Sequence, residues 1–452
     1  MRENKCPFNN LREPEGPRGL PIVNSFPFVA WNTLKFLKAI REKYGDIAQY
    51  KLFGFTNYLV SHPDDVSQVF KEERVGGYTK KRFYDAFYPF FGNGLFNSYG
   101  KDWELQRKQL QSFFKKSKVL DWFPLVVEES LSHIRAVDGL TKELNTEDVM
   151  QPLMQAIMSR ILFGVGLDNE DSKKAISAID SVSEQLASHG LKSFIFSGLL
   201  NKLPTPGNLR YKNSLKIIET SIHKLSNIKK AKEKKDGGLM SLFVQFMKPK
   251  ELRDQLFTLY FAGQDTTVST LQWVIYYLAK YPEHQERARQ EILKYWSDPS
   301  DVSYDDLDNM VFLNAAIDES MRLAPAAYVT YRDVINNTTL GKYQLKKGAL
   351  IILPMCVTHQ HPDLWNNPSE YQPERFLKNK KKGYSFYPYG GGMRMCLGMH
   401  LARMEITTII ALFVASFEFK LMPGAKINPI THMTLKPKNG VPLVIKNTDF
   451  IK

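Results

Sequence analysis

The stretch FYPYGGGMRMCLGMHLARME, residues 386 to 405, decides how this chain is read. Cys396 follows Gly390, Gly391 and Gly392, stands between Arg394 and Gly398, and immediately precedes a helical pattern that begins at Met399. Glycines let the backbone and a bulky group approach each other closely. A thiol at a helix N-terminus meets unpaired N–H groups and the positive end of the helix dipole, and both favour the thiolate. Arg394 adds a fixed positive charge. A lone cysteine is most often a small buried hydrophobe, but this setting suits a held thiolate, either a nucleophile or a metal ligand. A nucleophile wants a base nearby, and the sequence offers no clear one: His400 lies inside the helical pattern and reads equally as an exposed helical histidine. A single thiolate suits axial ligation of haem iron, where it pushes electron density onto the metal to favour O–O cleavage.

Working outward, the composition bounds the rest. The chain has 452 residues, 43% of them hydrophobic and 12% aromatic, including 29 Phe, which is enough for a large core and an apolar pocket. Disordered chains lack such residues, so disorder is excluded as the main state. Three cysteines, Cys6, Cys356 and Cys396, cannot build a disulfide framework or a four-thiolate metal site; a reducing compartment follows. The 61 Lys and Arg exceed the 47 Asp and Glu by 14. That excess fits nucleic acid, an anionic membrane or an acidic protein partner, and equally a lysine-rich surface that only keeps the protein soluble. No zinc-finger spacing or RNP-like run supports nucleic acid. The start, MRENKCPFNNLREPEGPRGLP, is polar and carries neither a membrane-spanning stretch nor a signal-peptide core. The expectation is a soluble, cytoplasmic, monomeric protein with no transmembrane anchor.

Periodicity predicts a mainly α fold with small peripheral β-sheets. After an extended lead-in (1–30), helices are predicted over 31–44, 62–70, 103–114, 122–137, 146–163, 250–278, 283–296, 304–310, 311–323 and 399–417. More helix is expected around LPTPG (203–207), with the basic NIKKAKEKKDGG (227–238) as a helix end and turn. Strands are expected at 47–53, 58–60, 328–332, 343–345 and 350–355, and in the tail. RFYDAFYPFFGNGLF (82–96) has poor periodicity and reads as an inward-facing loop with short helical pieces. The middle of 250–278, FTLYFAG, is apolar on every face, as in a helix buried through a domain centre. With no repeat and no clean linker, residues 1–452 read as one domain. The long irregular stretch 362–395 exceeds ordinary loop length and ends at Cys396.

Tyr389-x-x-Gly392-x-Arg394-x-Cys396-x-Gly398 resembles the haem-binding signature of the cytochrome P450 family, with Tyr389 where the family usually has Phe. Other segments agree. AAIDESMRLAPA, with Glu319 and Arg322 on one helix face, looks like the family's ExxR helix, and Pro373-Glu374-Arg375-Phe376 like its PERF segment. Ala262-Gly263-Gln264-Asp265-Thr266-Thr267 resembles the acid–alcohol pair of the central helix; KDWELQRKQLQSFF, with Trp103 and Arg107, resembles the WxxxR helix. The likeness runs from GPRGLP to VPLVI, and the wording AGQDTT, LAKYPEHQERARQEI and PERF is similar to the branch that includes fatty-acid hydroxylases and microsomal members.

The resemblance implies the cytochrome P450 fold and an EC 1.14 monooxygenase. Haem b (iron protoporphyrin IX) would have Cys396 as its proximal iron ligand. Arg394, Arg332, Trp103 and Arg107 would hold the propionates, Tyr389 and Gly398 would pack beside the ring, and Gly263 would leave room for oxygen. Asp265 and Thr266 would deliver protons, although a threonine hydroxyl in mid-helix also bonds readily to the i−4 carbonyl. A Glu319–Arg322–Arg375 cluster would lock the loop beneath the haem. With no flavin or iron–sulfur segment, electrons from NAD(P)H would arrive through a ferredoxin or flavodoxin and its reductase. Lys115, Lys116, Lys118, Lys378, Lys380, Lys381 and Lys382 could form the basic docking patch.

The pocket would be lined by 82–96, 188–206, Leu259–Thr267, Ala326–Val329 and the tail near Met433. Phe83, Phe87, Phe90, Phe91, Phe96 and Phe261 make it apolar, for a fatty acid, terpenoid or steroid, though each also reads as ordinary core. Lys80, Lys81 and Arg82 are either a carboxylate anchor or a solvated basic run. The rivals are a haem-thiolate peroxide isomerase or dehydratase that needs no electron donor, and a non-enzymatic haem sensor or carrier. The Asp265–Thr266 pair argues against all of these.

Overall fold

The computed structural model describes residues 12–137, 143–166, 169–182, 205–231, 238–378 and 383–451. They are mainly helical, with small peripheral sheets, and the chain divides into two compact units. The first comprises residues 1–83, 327–370 and 379–396; the second comprises 84–326, 371–378 and 397–452.

The first unit is built on a five-stranded sheet. Its strands are β1 (Ile47–Leu52), β2 (Phe55–Val60), β3 (Tyr78–Thr79), β5 (Thr330–Val334) and β8 (Leu350–Leu353); β4 (Glu143–Asn145) belongs to the other unit. The spatial order is β1-β2-β8-β5-β3, and only β2 and β8 run parallel. One face buries Tyr58, Val60, Ile351 and Leu353 against Val66, Val69 and Phe70. The last three come from the helix Pro63–Arg74, whose first turn holds Pro63 and two acids, Asp64 and Asp65. A small hairpin of β6 (Thr338–Leu340) and β7 (Tyr343–Leu345) adds Leu340 and Leu345 to the same core.

The second unit surrounds the 32-residue helix Pro249–Lys280. Most of that helix is buried, and the helices Thr146–Phe163, Val311–Leu323 and Met399–Ser416 pack against it. The tail forms β9 (Phe417–Leu421), β10 (Pro429–Thr431), β11 (Leu435–Pro437) and β12 (Pro442–Asn447); β12 lies between β4 and β9, and β10 pairs with β11. Met399–Ser416 is the single described helix long and apolar enough to cross a membrane, and it is mostly buried within the protein.

Three sequence expectations need correction. Residues Lys81–Phe91 are helical despite Pro89, because burial of Phe83, Phe87, Phe90 and Phe91 outweighs the one backbone bond the proline cannot make. The lead-in contains a short helix, Phe26–Trp31. The irregular stretch 362–395 contains the helix Glu374–Lys378. Most of 188–206 and part of 227–238 lie outside the described residues.

Glu319 closes the second unit around that short helix. Its carboxylate accepts from Arg322 Nε at 2.7 Å and Nη2 at 2.9 Å, with both side chains fully buried. It also accepts from Arg375 Nε at 3.0 Å and the Gln372 amide at 2.8 Å. Beside it, Tyr371 stacks on Tyr277 at 4.7 Å and donates to the Ala316 carbonyl. Removing the carboxylate strands two cations in a low dielectric, at a cost of about 3–5 kcal/mol. Glu319→Ala is therefore expected to lose folded protein, read as soluble yield and urea midpoint. Wild-type values for both would show that the cluster contributes little.

Glu405, 1% exposed in the helix Met399–Ser416, has no hydrogen-bond partner for Oε1. Burial pushes its carboxyl up to about 8. Its proton affinity is higher folded than unfolded, so its penalty is absent below about pH 4.5 and grows as pH rises toward 8. Relative to Glu405→Gln, the wild-type urea midpoint should fall between pH 5 and pH 8, by the equivalent of a few kcal/mol. Parallel curves would mean that Glu405 does not titrate in this window.

Candidate functional site

In the first unit the cysteine segment folds back on itself. The Gly390 amide donates to the Tyr387 carbonyl at 2.8 Å, and the Cys396 amide donates to the Tyr389 carbonyl at 2.9 Å. Two of its glycines are dictated by Phe70. A Cβ on Gly391 would lie 2.6 Å from Phe70 and 2.3 Å from Tyr384, and Gly392, at φ +64°, lies almost as close to Phe70. Both positions exclude a side chain, one by contact and the other also by backbone conformation. The Phe70 ring meets Tyr384 at 5.0 Å and Tyr387 at 6.2 Å, so one aromatic side chain shapes the turn that presents the cysteine. Cys396 is exposed, and so is His400. Cys356 is different: burial pushes its thiol up to about 12, which marks it as structural.

Cations gather in the same unit. Arg332 is buried on β5, with Nε 2.8 Å from Glu73 Oε1 and Nη2 2.9 Å from Oε2. Nη1 donates to the Tyr331 carbonyl and to Thr330 Oγ1. Phe70 lies 5.3 Å beneath the guanidinium. Lys80 is pushed down to about 7, first by burial and then by the charges of Arg332 and Arg394, with Glu73 and Asp333 acting the other way. Its ammonium sits 4.9 Å over the Phe83 ring. Asp333 is itself engaged: it accepts from the Arg82 amide at 2.9 Å and pairs with Arg82 Nε at 3.4 Å. Arg82 also donates to the Gly348 carbonyl, so it braces the sheet and is not an open anchor for a carboxylate.

An exposed thiol at the end of a glycine turn, with Arg332, Arg394 and Lys80 outnumbering their local acids, fits a thiolate-ligated group that carries its own negative charges. The donor set is therefore suited to haem and its propionates. The sequence reading missed Glu73 and Phe70, which carry no local signal, and gave Lys80 as either a carboxylate anchor or part of a solvated basic run.

The second unit holds the other expected residues. Trp103 is buried and Arg107 half-buried, four residues apart on the helix Gly100–Leu110. Gly398 lies at the start of the helix Met399–Ser416, and a Cβ there would meet nothing within 4 Å. Gly263 departs from expectation. The position of its missing Cβ is 2.7 Å from Met158 Sδ and Cε, so its bare side is taken by the neighbouring helix and not left open.

Asp265 and Thr266 are turned to different partners. Thr266 Oγ1 donates back to the Ala262 carbonyl at 2.7 Å, the ordinary mid-helix habit. Asp265 Oδ2 accepts from Thr434 Oγ1 at 2.6 Å, and Oδ1 lies 3.7 Å from Lys436 Nζ. Thr434 and Lys436 were not singled out from sequence. Their signal was the alternate spacing of a threonine and a lysine on one face of a tail strand.

Among the aromatics, Phe91 is fully buried and packs on Phe96, Phe257 and Phe261 at 5.1 to 5.3 Å, as core. Phe87, Phe90 and Phe261 are also buried. Of the basic patch, Lys116 pairs with Asp308 at 2.9 Å and Lys118 with Asp121 at 3.8 Å, while Lys380, Lys381 and Lys382 lie outside the described residues.

Similarity to known proteins agrees with this geometry. The chain is 27% identical to the cyclooctat-9-en-7-ol 5-monooxygenase of Streptomyces melanosporofaciens, over 91% of this chain and 90% of that protein. It is 24% identical to the pentalenene oxygenase of Streptomyces avermitilis, over 93% and 94%. Cytochrome P450 4A10 of Mus musculus is 34% identical over 44% of this chain and 40% of its own length. The family model described as Cytochrome P450 matches residues 14–444, and the chain belongs to that family.

Proposed function

We propose that residues 1–452 form one haem-thiolate monooxygenase domain in which Cys396 would hold the iron of haem b. The observation that carries this reading is the exposed Cys396 thiol, presented by a turn moulded on Phe70 in the unit that also gathers Arg332, Arg394 and Lys80. When bound, the haem supplies the oxygen chemistry, in which O2, two electrons, two protons and a C–H bond become an alcohol and water.

The chain's own residues position and protonate. With haem bound, Arg394, Arg332 and Lys80 would hold propionate charge as cations, and Trp103 and Arg107, by the family resemblance, would add N–H donors. Tyr389 would supply aromatic packing to the ring, and Gly398, where a Cβ would meet nothing within 4 Å, would leave room for it. Gly263 serves through its helix contact with Met158, which fixes the wall that carries Asp265 and Thr266. Thr266 Oγ1, by donating to Ala262, turns its lone pairs outward as a proton acceptor. Asp265 exchanges protons with water from the partly exposed edge of the same helix.

The substrate is lipophilic. Buried Phe87, Phe90 and Phe261 support this, as do two relatives named for an unsaturated cyclic alcohol and for pentalenene. With Arg82 committed to Asp333, a neutral terpenoid-like molecule is favoured over a fatty acid. The electron donor is a ferredoxin or flavodoxin with its NAD(P)H-dependent reductase. Its docking charge rests less on Lys116 and Lys118, which are paired within the chain. A peroxide isomerase or a sensor would turn over, or respond, without any donor.

Reduced protein under CO should show the band of a thiolate-ligated haem, and Cys396→Ala should lose it while keeping its far-UV circular dichroism. A histidine-type band in active wild type would overturn the assignment. In the same preparation, geranylgeraniol should give a stronger high-spin shift than dodecanoic acid; the reverse order would return the substrate to the fatty acids.

Thr266→Ala should keep haem content and probe affinity, yet lower product formed per NADPH by roughly ten- to a hundredfold, with peroxide making up the difference. Full coupling in that variant would remove Thr266 from proton handling.

A further inference from the structure

Glu73 stands in the last turn of the helix Pro63–Arg74, with its side chain only 5% exposed. Both facts count against a carboxylate, because burial strips its hydration and a helix C-terminus presents the negative end of the dipole. An amide at this position would accept the same hydrogen bond without a charge. What the carboxylate adds is negative charge, and it is placed on Arg332, 259 residues away in sequence. Phe70, one turn earlier on the same helix, lies 5.3 Å beneath the guanidinium, so one helix meets that group at both its edge and its face. The same Phe70 moulds Gly391 and Gly392, which ties Arg332 to the turn that presents Cys396.

The hydrogen bonds of Arg332 are only partly spent. A guanidinium has five N–H donors. Nη1 donates to the Tyr331 carbonyl at 2.8 Å and to Thr330 Oγ1 at 3.2 Å, and Nη2 donates to Glu73 Oε2 at 2.9 Å. Nε lies 2.8 Å from Glu73 Oε1, but its N–H is not aimed there, and this buried nitrogen has no hydrogen-bond partner. Arg332 thus keeps donors for a second carboxylate, while its charge is already matched by Glu73. Nearby, Lys80 feels Arg332 and Arg394 against its charge and Glu73 and Asp333 in its favour, so Glu73 acts on the whole cluster of cations.

We propose that Glu73 is a positioning residue that holds Arg332 so that the guanidinium offers a haem propionate hydrogen bonds but little net charge, and thereby keeps the reduction potential of the iron low. The inference rests on the haem-thiolate reading above. Its sign follows from Coulomb's law: an uncompensated cation beside the propionates favours the ferrous form, which carries one more electron, and so raises the potential. Glu73 cancels that cation from within the protein, where solvent screens the pair poorly. Removing its charge therefore acts as the addition of one positive charge, worth roughly a tenfold change in the ferrous-to-ferric ratio at a fixed potential. Arg332 stays in place in such a variant, because Nη1 remains anchored on Tyr331 and Thr330.

The test uses haem-loaded protein without substrate. It reads the ferric–ferrous midpoint by spectroelectrochemistry and the rate of haem transfer to excess apomyoglobin. Glu73→Gln should raise the midpoint and slow haem transfer several-fold, since the released guanidinium then holds a propionate by charge as well as by hydrogen bonds. Glu73→Asp keeps the charge and should stay near the wild-type midpoint. The double variant Glu73→Gln with Arg332→Met removes both charges and strands neither. Its midpoint should return to the wild-type value while its haem transfer is faster, because the hydrogen bonds are gone. This double variant decides the matter where Glu73→Gln alone fails to accumulate as folded protein. An unmoved midpoint in Glu73→Gln, with faster haem loss, would show that Glu73 only braces the fold and would overturn the inference. A lowered midpoint in the double variant would do the same, because Arg332 would then act on the haem uncancelled. Wild-type protein lacking the CO band of a thiolate-ligated haem would overturn the haem reading and this inference with it; with that band present, the other failures count against Glu73 alone.

Discussion

Buried guanidinium charge is the constraint on which most of this structure depends. Arg322 and Arg332 are both fully buried, and a charge in that position is tolerable only when paired and hydrogen-bonded. Each is therefore bound to one acid, and each acid ties down a second element. Glu319 draws Arg375 and the Gln372 amide onto the helix Val311–Leu323. Glu73 draws β5 onto the end of the helix Pro63–Arg74, which also carries Phe70. Arg289 follows the same rule: it pairs with the half-exposed Glu286 and donates to the Val414 and Phe417 carbonyls and to Gln285. The arrangement costs desolvation energy.

That constraint also explains what could be read from sequence. Long helices announced themselves by period and composition, and Thr146–Phe163 and Val311–Leu323 came out with the expected bounds. The cysteine turn was legible because its chemistry is local: three glycines, an arginine and a helix start fall within ten residues. Glu319 and Arg322 were legible for the same reason, being one helical turn apart. Glu73 lies 259 residues from Arg332, and nothing in either neighbourhood marks the pairing. Lys81–Phe91 was misread although Phe83, Phe87, Phe90 and Phe91 stand at helical spacing, because Pro89 and the glycines that follow argued for a break. There, tertiary burial of Phe87, Phe90 and Phe91 outweighs local preference.

The acid–alcohol pair shows the limit of motif reading in another way. Asp265 and Thr266 are adjacent in sequence, and adjacency suggests joint action. On a helix it means the opposite, because consecutive side chains diverge. Thr266 is satisfied within its own helix, and Asp265 by a strand from the tail, 169 residues away. A motif identified which residue types are present but not which partners occupy them at rest.

Within each unit the bonds differ in kind, and the difference suits their tasks. Phe70 against Gly391 and Gly392, Glu319 with its two arginines, and Ser269 and Trp273 on one carbonyl are buried contacts, and none can be exchanged for water without large cost. They belong where geometry must not vary, at the turn that presents a thiol and at the strand beside the central helix. The contacts of Asp265 with Lys436, by contrast, are open to solvent, where an ion pair exchanges for hydration at little cost. A group that must repeatedly gain and lose a proton cannot be held as firmly as a metal ligand, because each bond that fixes its charged form must be broken before the proton moves. A partly solvated ion pair on Asp265, beside one buried hydroxyl bond and the dry contacts of its neighbours Ser269 and Trp273, is what a helix needs if it is to hold a wall in place and still let one carboxylate exchange protons.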